Sequence, residues 1–174
     1  MQYKTKRFAV RPWNFDDCQD LAFYGNNKKI YDNLRDAFPY PYTLKNAENW
    51  LKLAPYEKNY LLRAIEIDGH AVGGIGAIFK DDVYRKSCEI GYWLAEQYWG
   101  RGIMTEIIKK LVKHIFEKHD VVRVYAAIFE SNKASARVLE KAGLKLEAVH
   151  KKAVFKNGVF MDELMYAVVR LKNE

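Results

Sequence analysis

The chain runs to 174 residues, of which 49% are hydrophobic, 14% aromatic and 29% charged. That is enough apolar material for a sizeable core; it excludes a disordered chain, and the length fits a single domain over residues 1–174. No apolar run approaches the roughly 20 residues a membrane-crossing helix needs. Ten Gly, four Pro and no internal period exclude collagen-like, Pro-rich and repeat architectures.

Lys and Arg number 29 against 22 Asp and Glu, a net charge of +7. The excess favours acidic partners, whether nucleic acid, an anionic surface or a phosphate-rich small molecule, and does not choose among them. Cys18 and Cys88 form no C-x-x-C pair, and His70, His114, His119 and His150 lack zinc-ligand spacing, so no metal is expected. Met1 to Arg11 carries Lys4, Lys6 and Arg7 but no signal-peptide-like apolar run, and a reducing, cytoplasmic setting is the expectation.

In chain order, Phe8–Arg11 reads as a strand closed by Pro12. A short helical stretch begins at Asn14 or Asp16, and a second lies near Lys28–Arg35. Pro39 and Pro41 keep Phe38–Tyr42 out of regular helix, because each forces an extended conformation on the residue before it. Thr43 is a plausible N-cap for a helix reaching about Leu53. The aromatic-rich stretch from Tyr24 to Tyr60 reads as a helical cover, the natural place for shaping a substrate site.

Strands Tyr60–Ile67 and His70–Phe79 flank an Asp68-Gly69 turn that favours antiparallel pairing. Gly73, Gly74 and Gly76 in the second strand suggest a bulge or close packing. A charged turn, Lys80–Lys86, leads to a strand Ser87–Leu94 and then to an amphipathic helix Gly102–His119. Val121–Phe129 follows as a strand, which a right-handed crossover sets parallel to Ser87–Leu94. A helix Asn132–Ala142 stops at Gly143, and strands of about Glu147–Phe155 and Val159–Arg170 flank the hairpin signal Asn157-Gly158. The expected fold class is α/β (α+β): a mixed, mostly antiparallel sheet with a parallel strand pair in the middle and helices on both faces.

The chemistry concentrates in Glu89-Ile-Gly-Tyr-Trp-Leu-Ala-Glu-Gln-Tyr-Trp-Gly-Arg-Gly-Ile-Met-Thr105. A strand, a Gly-containing loop and a long helix leave unpaired backbone N–H groups at the positive end of a helix dipole, which is an anion site. Gly100 and Gly102 let a phosphate approach without a Cβ in the way, and Arg101 adds a charge-assisted contact. A dinucleotide fingerprint would need glycine where Thr105 stands, and a P-loop would need Gly-Lys-Ser/Thr, which is absent.

What remains, Gln97-x-x-Gly100-x-Gly102, resembles the pyrophosphate-binding motif Gln/Arg-x-x-Gly-x-Gly/Ala of the GNAT family of N-acetyltransferases. Downstream, Asn132-Lys-Ala-Ser135-Ala-Arg137-Val-Leu139-Glu-Lys-Ala-Gly143-Leu144 resembles that family's later motif, and the element order agrees over essentially the whole chain. Glu89-Ile-Gly-Tyr-Trp-Leu and Asp162-Glu-Leu-Met-Tyr look like the subgroup of RimJ/RimL-type ribosomal-protein acetyltransferases.

The resemblance implies acetyl-CoA as cosubstrate and direct transfer of its acetyl group to an amine. The acceptor classes are, in order, a protein N-terminal α-amine, a small-molecule amine and a lysine side chain. It implies that the two parallel strands splay and hold pantetheine between them, with Gly91 permitting a bulge. Backbone amides near Tyr92, Trp93 and Leu94 would hold the pantetheine and polarise the thioester carbonyl. Gln97, Gly100, Arg101, Gly102, Ile103, Met104 and Thr105 would cradle the pyrophosphate. Asn132 would bond the pantetheine arm, and Arg137 and Lys141 would meet the 3′-phosphate or simply form a solvated helix face.

Glu89 is the candidate catalytic base, acting through water, with an edge carboxylate paired to Lys or Arg as the alternative. Leu139 stands where the family often has a proton-donating tyrosine, and Ser135 is the candidate replacement, its alternative role being to bind pantetheine. Phe38, Tyr40, Tyr42 and Trp50 would form the acceptor wall or cover the sheet. Cys18 and Cys88 read as buried core, His150 as an ordinary strand histidine and Asp162 as locally bonded. A homodimer is the assembly the resemblance suggests, and no direct nucleic-acid binding is expected. The competing class is a non-catalytic module that holds CoA or docks on the ribosome.

Overall fold

The computed structural model describes residues 1–53 and 59–170. Residues 54–58, inside the stretch read as a helical cover, lie outside the described residues. The strands are β1 (Tyr3–Lys4), β2 (Ala9–Arg11), β3 (Tyr60–Ile67), β4 (His70–Phe79), β5 (Ser87–Leu94), β6 (Arg123–Phe129), β7 (Lys145–Lys156) and β8 (Val159–Val169). The helices are α1 (Cys18–Gly25), α2 (Lys28–Tyr31), α3 (Leu44–Leu53), α4 (Ile103–Lys118) and α5 (Lys133–Ala142). Hydrogen bonding links the strands in the order β1-β2-β3-β4-β5-β6-β8-β7, a mixed sheet with one parallel pair. The chain divides into two compact units, residues 1–78 with 91–103 and residues 79–90 with 104–174, and β5 contributes a half to each.

In the first unit β1 to β4 pair antiparallel. Asp68 and Gly69 take φ of 51° and 84°, the left-handed pair that a two-residue hairpin turn demands. The glycines of β4 serve close packing: a Cβ on Gly73 would lie 2.6 Å from the Trp93 carbonyl oxygen, and one on Gly74 2.9 Å from the Trp93 indole nitrogen. The register irregularity falls instead on β3, between Ile65 and Glu66.

Asn14 and Asp17 form a capping box over the 3-10 turn Phe15–Asp17 that opens α1. Asp17, although 6% exposed, is satisfied by a two-pronged contact from Arg11, whose Nη1 and Nη2 each lie 2.8 Å from a carboxylate oxygen. Arg11 Nε also donates to Glu66 at 2.5 Å. The bonds to Asp17 push the guanidinium's pKa upward against the cost of burial, so the charge is permanent. Thr43 caps α3 as expected: its hydroxyl accepts from Asn46 N while Asn46 Oδ1 accepts from Thr43 N. Ala47 and Leu51 on that helix are buried with Cys18, Leu21 and Tyr42, and Trp13, Phe38, Trp50 and Trp93 pack on this cluster. Each fully buried Leu contributes about 1.5–3 kcal/mol.

In the second unit the parallel ladder joins Ser87, Cys88 and Glu89 to Arg123, Val124 and Tyr125. Ile107, Ile108, Leu111 and Ile115 of α4 are at most 1% exposed, as their helical spacing requires. Asn132 caps α5, and Gly143 ends it at φ 98°, where a Cβ would be strained. Asn157 and Gly158, at φ 52° and 79°, turn β7 into β8.

The differences from the sequence reading are at boundaries. A strand β1 precedes β2, its two residues too few to show a pattern. The helix expected near Lys28–Arg35 stops at Tyr31, because Ile30 is its single buried residue. The Gly102–His119 helix begins at Ile103, and the strand expected from Val121 begins at Arg123. Among the described residues, no helix is long and apolar enough to cross a membrane.

The two kinds of strand glycine make opposite predictions. Gly73→Ala forces the backbone at Trp93 to move and is expected to cost about 1–3 kcal/mol, the usual range for overpacking. Gly91→Ala meets nothing within 4 Å and should leave stability within about 0.5 kcal/mol of the parent. Urea unfolding midpoints of the two variants check both.

Candidate active site

The loop between β5 and α4 is held from several directions, all within the first unit. Ala95 N donates to Val72 O at 2.8 Å, and the Trp99 indole donates to Leu94 O at 2.6 Å. Glu96, in the 3-10 turn Glu96–Tyr98, accepts from Asn27 Nδ2 at 3.0 Å and from Lys29. The Lys29 bond, then the Asn27 bond, hold the Glu96 carboxyl below its ordinary range, so it stays an anion through mild acid.

Beyond this anchor Gly100 and Gly102 stand at φ 73° and 72°, a conformation costly for any residue with a Cβ, and each has open space where the Cβ would be. Helix α4 starts one residue later, so its first amides lack intrahelical acceptors by construction. Ile103 and Met104 turn their side chains inward, 4% and 7% exposed, and have only backbone to offer a ligand. Gln97 and Arg101 are exposed, and the Arg101 guanidinium lies 5.4 Å from the Tyr98 ring centre. Left-handed glycines, outward amides and a cation suit a diphosphate.

The other halves of the expected site are distributed as follows. Gly91 is exposed with nothing near its Cα hydrogen, so it opens the strand surface rather than serving a close contact. In the second unit Glu89 accepts from Lys80 Nζ at 2.6 Å and from Tyr125 at 3.4 Å, with a side chain 15% exposed. Burial lowers the Lys80 pKa, but the bonds to Glu89 and Tyr125 outweigh it and the net shift is upward. Glu89 is therefore a carboxylate paired with Lys, the alternative to a free base. Asn132 uses Oδ1 to accept from Ser135 N at 3.0 Å, so the residue expected to bond a ligand is first of all a helix cap. Ser135 is half-buried in the first turn of α5. Arg137 and Lys141, exposed and four residues apart, share one face of α5. Leu139 is fully buried and packs as core.

The expected acceptor wall divides. Tyr40 is 44% exposed and lies beside Tyr31, ring centres 5.6 Å apart. Phe38 bridges Tyr42 at 4.5 Å and Trp93 at 5.7 Å. Tyr42 is 5% exposed within the core cluster, so it supports the wall from behind instead of facing an acceptor. Cys18 and Cys88 are buried, His150 pairs with Glu163 and Asp162 bonds Lys151 and Lys152 N. Among the described residues no group of three or more His, Cys, Asp or Glu is placed to hold a metal ion.

Sequence reasoning missed Lys80, Glu96 and Arg7. The hairpin register across the charged turn, where Lys80 N donates to Ser87 O, would have brought Lys80 toward Glu89. No local signal points to Arg7, whose Nη1 donates to Arg101 O at 3.0 Å across 94 residues of chain.

Two outcomes follow from this geometry. Burial pushes the Tyr42 phenol up to about 12 from an ordinary 10.0, so the neutral phenol is favoured in the folded state. That contribution is intact below pH 10 and disappears as pH rises through 12. Urea midpoints at pH 8 and 11 should fall less for Tyr42→Phe than for the parent. Gly102→Asp, placing a carboxylate at the amides, should weaken acetyl-CoA binding about 10-fold or more by calorimetry in a folded protein. Unchanged affinity would mean that this loop binds something else.

Comparison with known proteins agrees with the loop geometry. Residues 7–145 match the family model described as the acetyltransferase (GNAT) domain. The chain is 38% identical over 180 residues to the Bacillus subtilis protein named Probable N-acetyltransferase YjcK, covering 98% of each. It is 30% identical over 94 residues to the Escherichia coli ribosomal-protein-serine acetyltransferase, covering 54% of this chain and 52% of that one. The solved structure of RimL, a ribosomal alpha-N-protein acetyltransferase in complex with coenzyme A, superposes with a TM-score of 0.86 at 22% identity, covering 97% of this chain and 98% of that one. With its motif loop, its mixed sheet and a family match over most of its length, the chain belongs to the GNAT family of acetyl-CoA-dependent N-acetyltransferases.

Proposed function

We propose that the acceptor is an amine of modest basicity, foremost the α-amine of a protein N-terminus, with a small-molecule amine second and a lysine side chain last. The reading rests on the state of the candidate base. Glu89 accepts from Lys80 Nζ at 2.6 Å, so its carboxylate is already engaged by a cation before any acceptor arrives. An α-amine, with a pKa of about 8, is already neutral roughly a tenth to a fifth of the time at pH 7. A lysine amine, near 10.4, is neutral less than about one part in a thousand of the time. A carboxylate already engaged by a cation therefore serves the α-amine better than the lysine. The ribosomal α-amine activity named for RimL and the ribosomal-protein-serine acetyltransferase named in Escherichia coli point the same way.

The cosubstrate fits the loop through the open space at Gly100 and Gly102. Gln97, Gly100, Arg101, Gly102 and the amides through Thr105 take its pyrophosphate. The backbone near Tyr92, Trp93 and Leu94 takes the pantetheine arm and polarises the thioester carbonyl, with Asn132 and Ser135 as further contacts. Arg137 and Lys141 supply exposed charge for the 3′-phosphate. The parallel ladder ends at Glu89 and Tyr125 while both strands run on, which supports pantetheine pairing with β5 backbone beyond that point. The neutral amine attacks the carbonyl carbon, and the C–N bond forms as the C–S bond breaks. The amine proton passes through water to Glu89 and on to solvent, and the departing thiolate takes a proton relayed through the Ser135 hydroxyl, which regains one from solvent water. Phe38 and Tyr40 line the acceptor side.

A peptide panel tests the acceptor. At pH 7 with acetyl-CoA, a peptide with a free N-terminus should be acetylated on that amine with kcat/KM at least about 10-fold above an N-terminally blocked peptide carrying one lysine. Mass spectrometry locates the acetyl group, and preference for the lysine peptide would overturn the reading.

A further inference from the structure

We infer that Arg7 is a positioning residue for the phosphate cradle, one that fixes the direction in which the Gly102 amide points. The inference rests on the assignment of acetyl-CoA phosphates to that loop. A peptide group is planar and trans, so its C=O and N–H point in opposite directions. The Arg7 guanidinium donates to the carbonyl of Arg101 at 3.0 Å, and the other end of that same peptide is the Gly102 N–H. Holding the oxygen therefore holds the hydrogen, directed away from Arg7.

The device has a purpose because this peptide turns about its bonds to the Cα atoms of Arg101 and Gly102, and Gly102, in a loop that also holds Gly100, has no Cβ to hinder the turn. Gly100 and Gly102, at φ 73° and 72°, lack the Cβ that restrains backbone rotation, and nothing packs within 4 Å of where either Cβ would be. The neighbouring anchors grip elsewhere: Glu96 is held by Asn27 and Lys29, and Trp99 reaches back to Leu94 O. Arg7 acts on the peptide between the two glycines itself. Its donor is charged, so the bond is stronger than a neutral one and polarises the Arg101–Gly102 amide, making Gly102 N–H a better donor to an anion.

Arg7 is in turn kept in place by its own turn. The Thr5 hydroxyl accepts from Arg7 N and Phe8 N, each at 3.1 Å, and donates to Phe8 O at 3.0 Å. Pairing of Tyr3 with Val10 and Lys4 with Ala9 closes the hairpin that carries it. The extra two-residue strand β1 thus has a use: it turns the N-terminal segment into a rigid arm with Arg7 at its tip.

The experiment is calorimetric titration of the full chain with coenzyme A, paired with steady-state kinetics. In Arg7→Ala the Kd for coenzyme A and the KM for acetyl-CoA should rise about 10-fold, the cost of ordering on binding a peptide that Arg7 no longer holds. The kcat at saturating acetyl-CoA should stay within about 2-fold of the parent, with thermal midpoint unchanged within about 2 °C, since Arg7 is exposed. Arg7→Lys and Arg7→Gln, which keep a donor for the carbonyl, should recover most of the affinity, and they carry the test alone should Arg7→Ala misfold. Parent-like affinity in Arg7→Ala would overturn the positioning role while leaving the loop assignment intact. Affinity lost equally in all three would also overturn it, replacing it with direct contact between guanidinium and phosphate. A parent chain that fails to bind coenzyme A would overturn the loop assignment, and this inference with it.

Discussion

The proposed phosphate site depends on the direction of a few backbone amides at the start of α4. Side chains in this loop mostly hold it in place: Glu96 grips its first turn, Trp99 folds back onto β5 and Arg7 takes the carbonyl between the two glycines. Gln97, Gly100, Arg101 and Gly102 are left exposed at the positive end of a 16-residue helix whose apolar stripe is buried. An anion site of this kind needs few charged side chains, because its donors are fixed by the fold.

The two units divide the labour by chemistry. The first holds the loop together with a cluster of aromatic rings around Phe38, Tyr42 and Trp93. The second holds the ionic and hydroxylic groups, Glu89 with Lys80 and Tyr125, and Ser135 under its Asn132 cap. Strand β5 passes from one to the other, with Glu89 at its third position and Trp93 at its seventh in a single eight-residue strand.

Much of this was legible in the linear sequence where a local rule is strict. Asp68-Gly69 and Asn157-Gly158 admit few conformations, and the boundaries of β3, β4 and β5 match their expected residues. Gln97-x-x-Gly100-x-Gly102 is similarly local, because loop shape and ligand chemistry are both written in consecutive residues. Contacts across long stretches of chain were not legible. Arg7 meets Arg101 and Lys29 meets Glu96 only after the sheet has formed, and nothing near residue 7 or 29 in sequence announces a partner. Tyr42 illustrates a different limit: an aromatic just after a proline looks like a wall residue, whereas packing against Cys18, Leu21 and Leu51 makes it core. Asn132 shows a third, since one amide side chain serves as helix cap regardless of any later role.

Trp93 sits against two glycines of β4 with its carbonyl oxygen and indole nitrogen occupying the space that side chains at Gly73 and Gly74 would need. Enlarging residues there would drag the main chain of β5 with it and disturb the end of the strand that leads into the loop. Under the proposed acceptor assignment, changes of specificity should therefore accumulate around the exposed ring of Tyr40 and leave the β4 glycines as a boundary that variation does not cross.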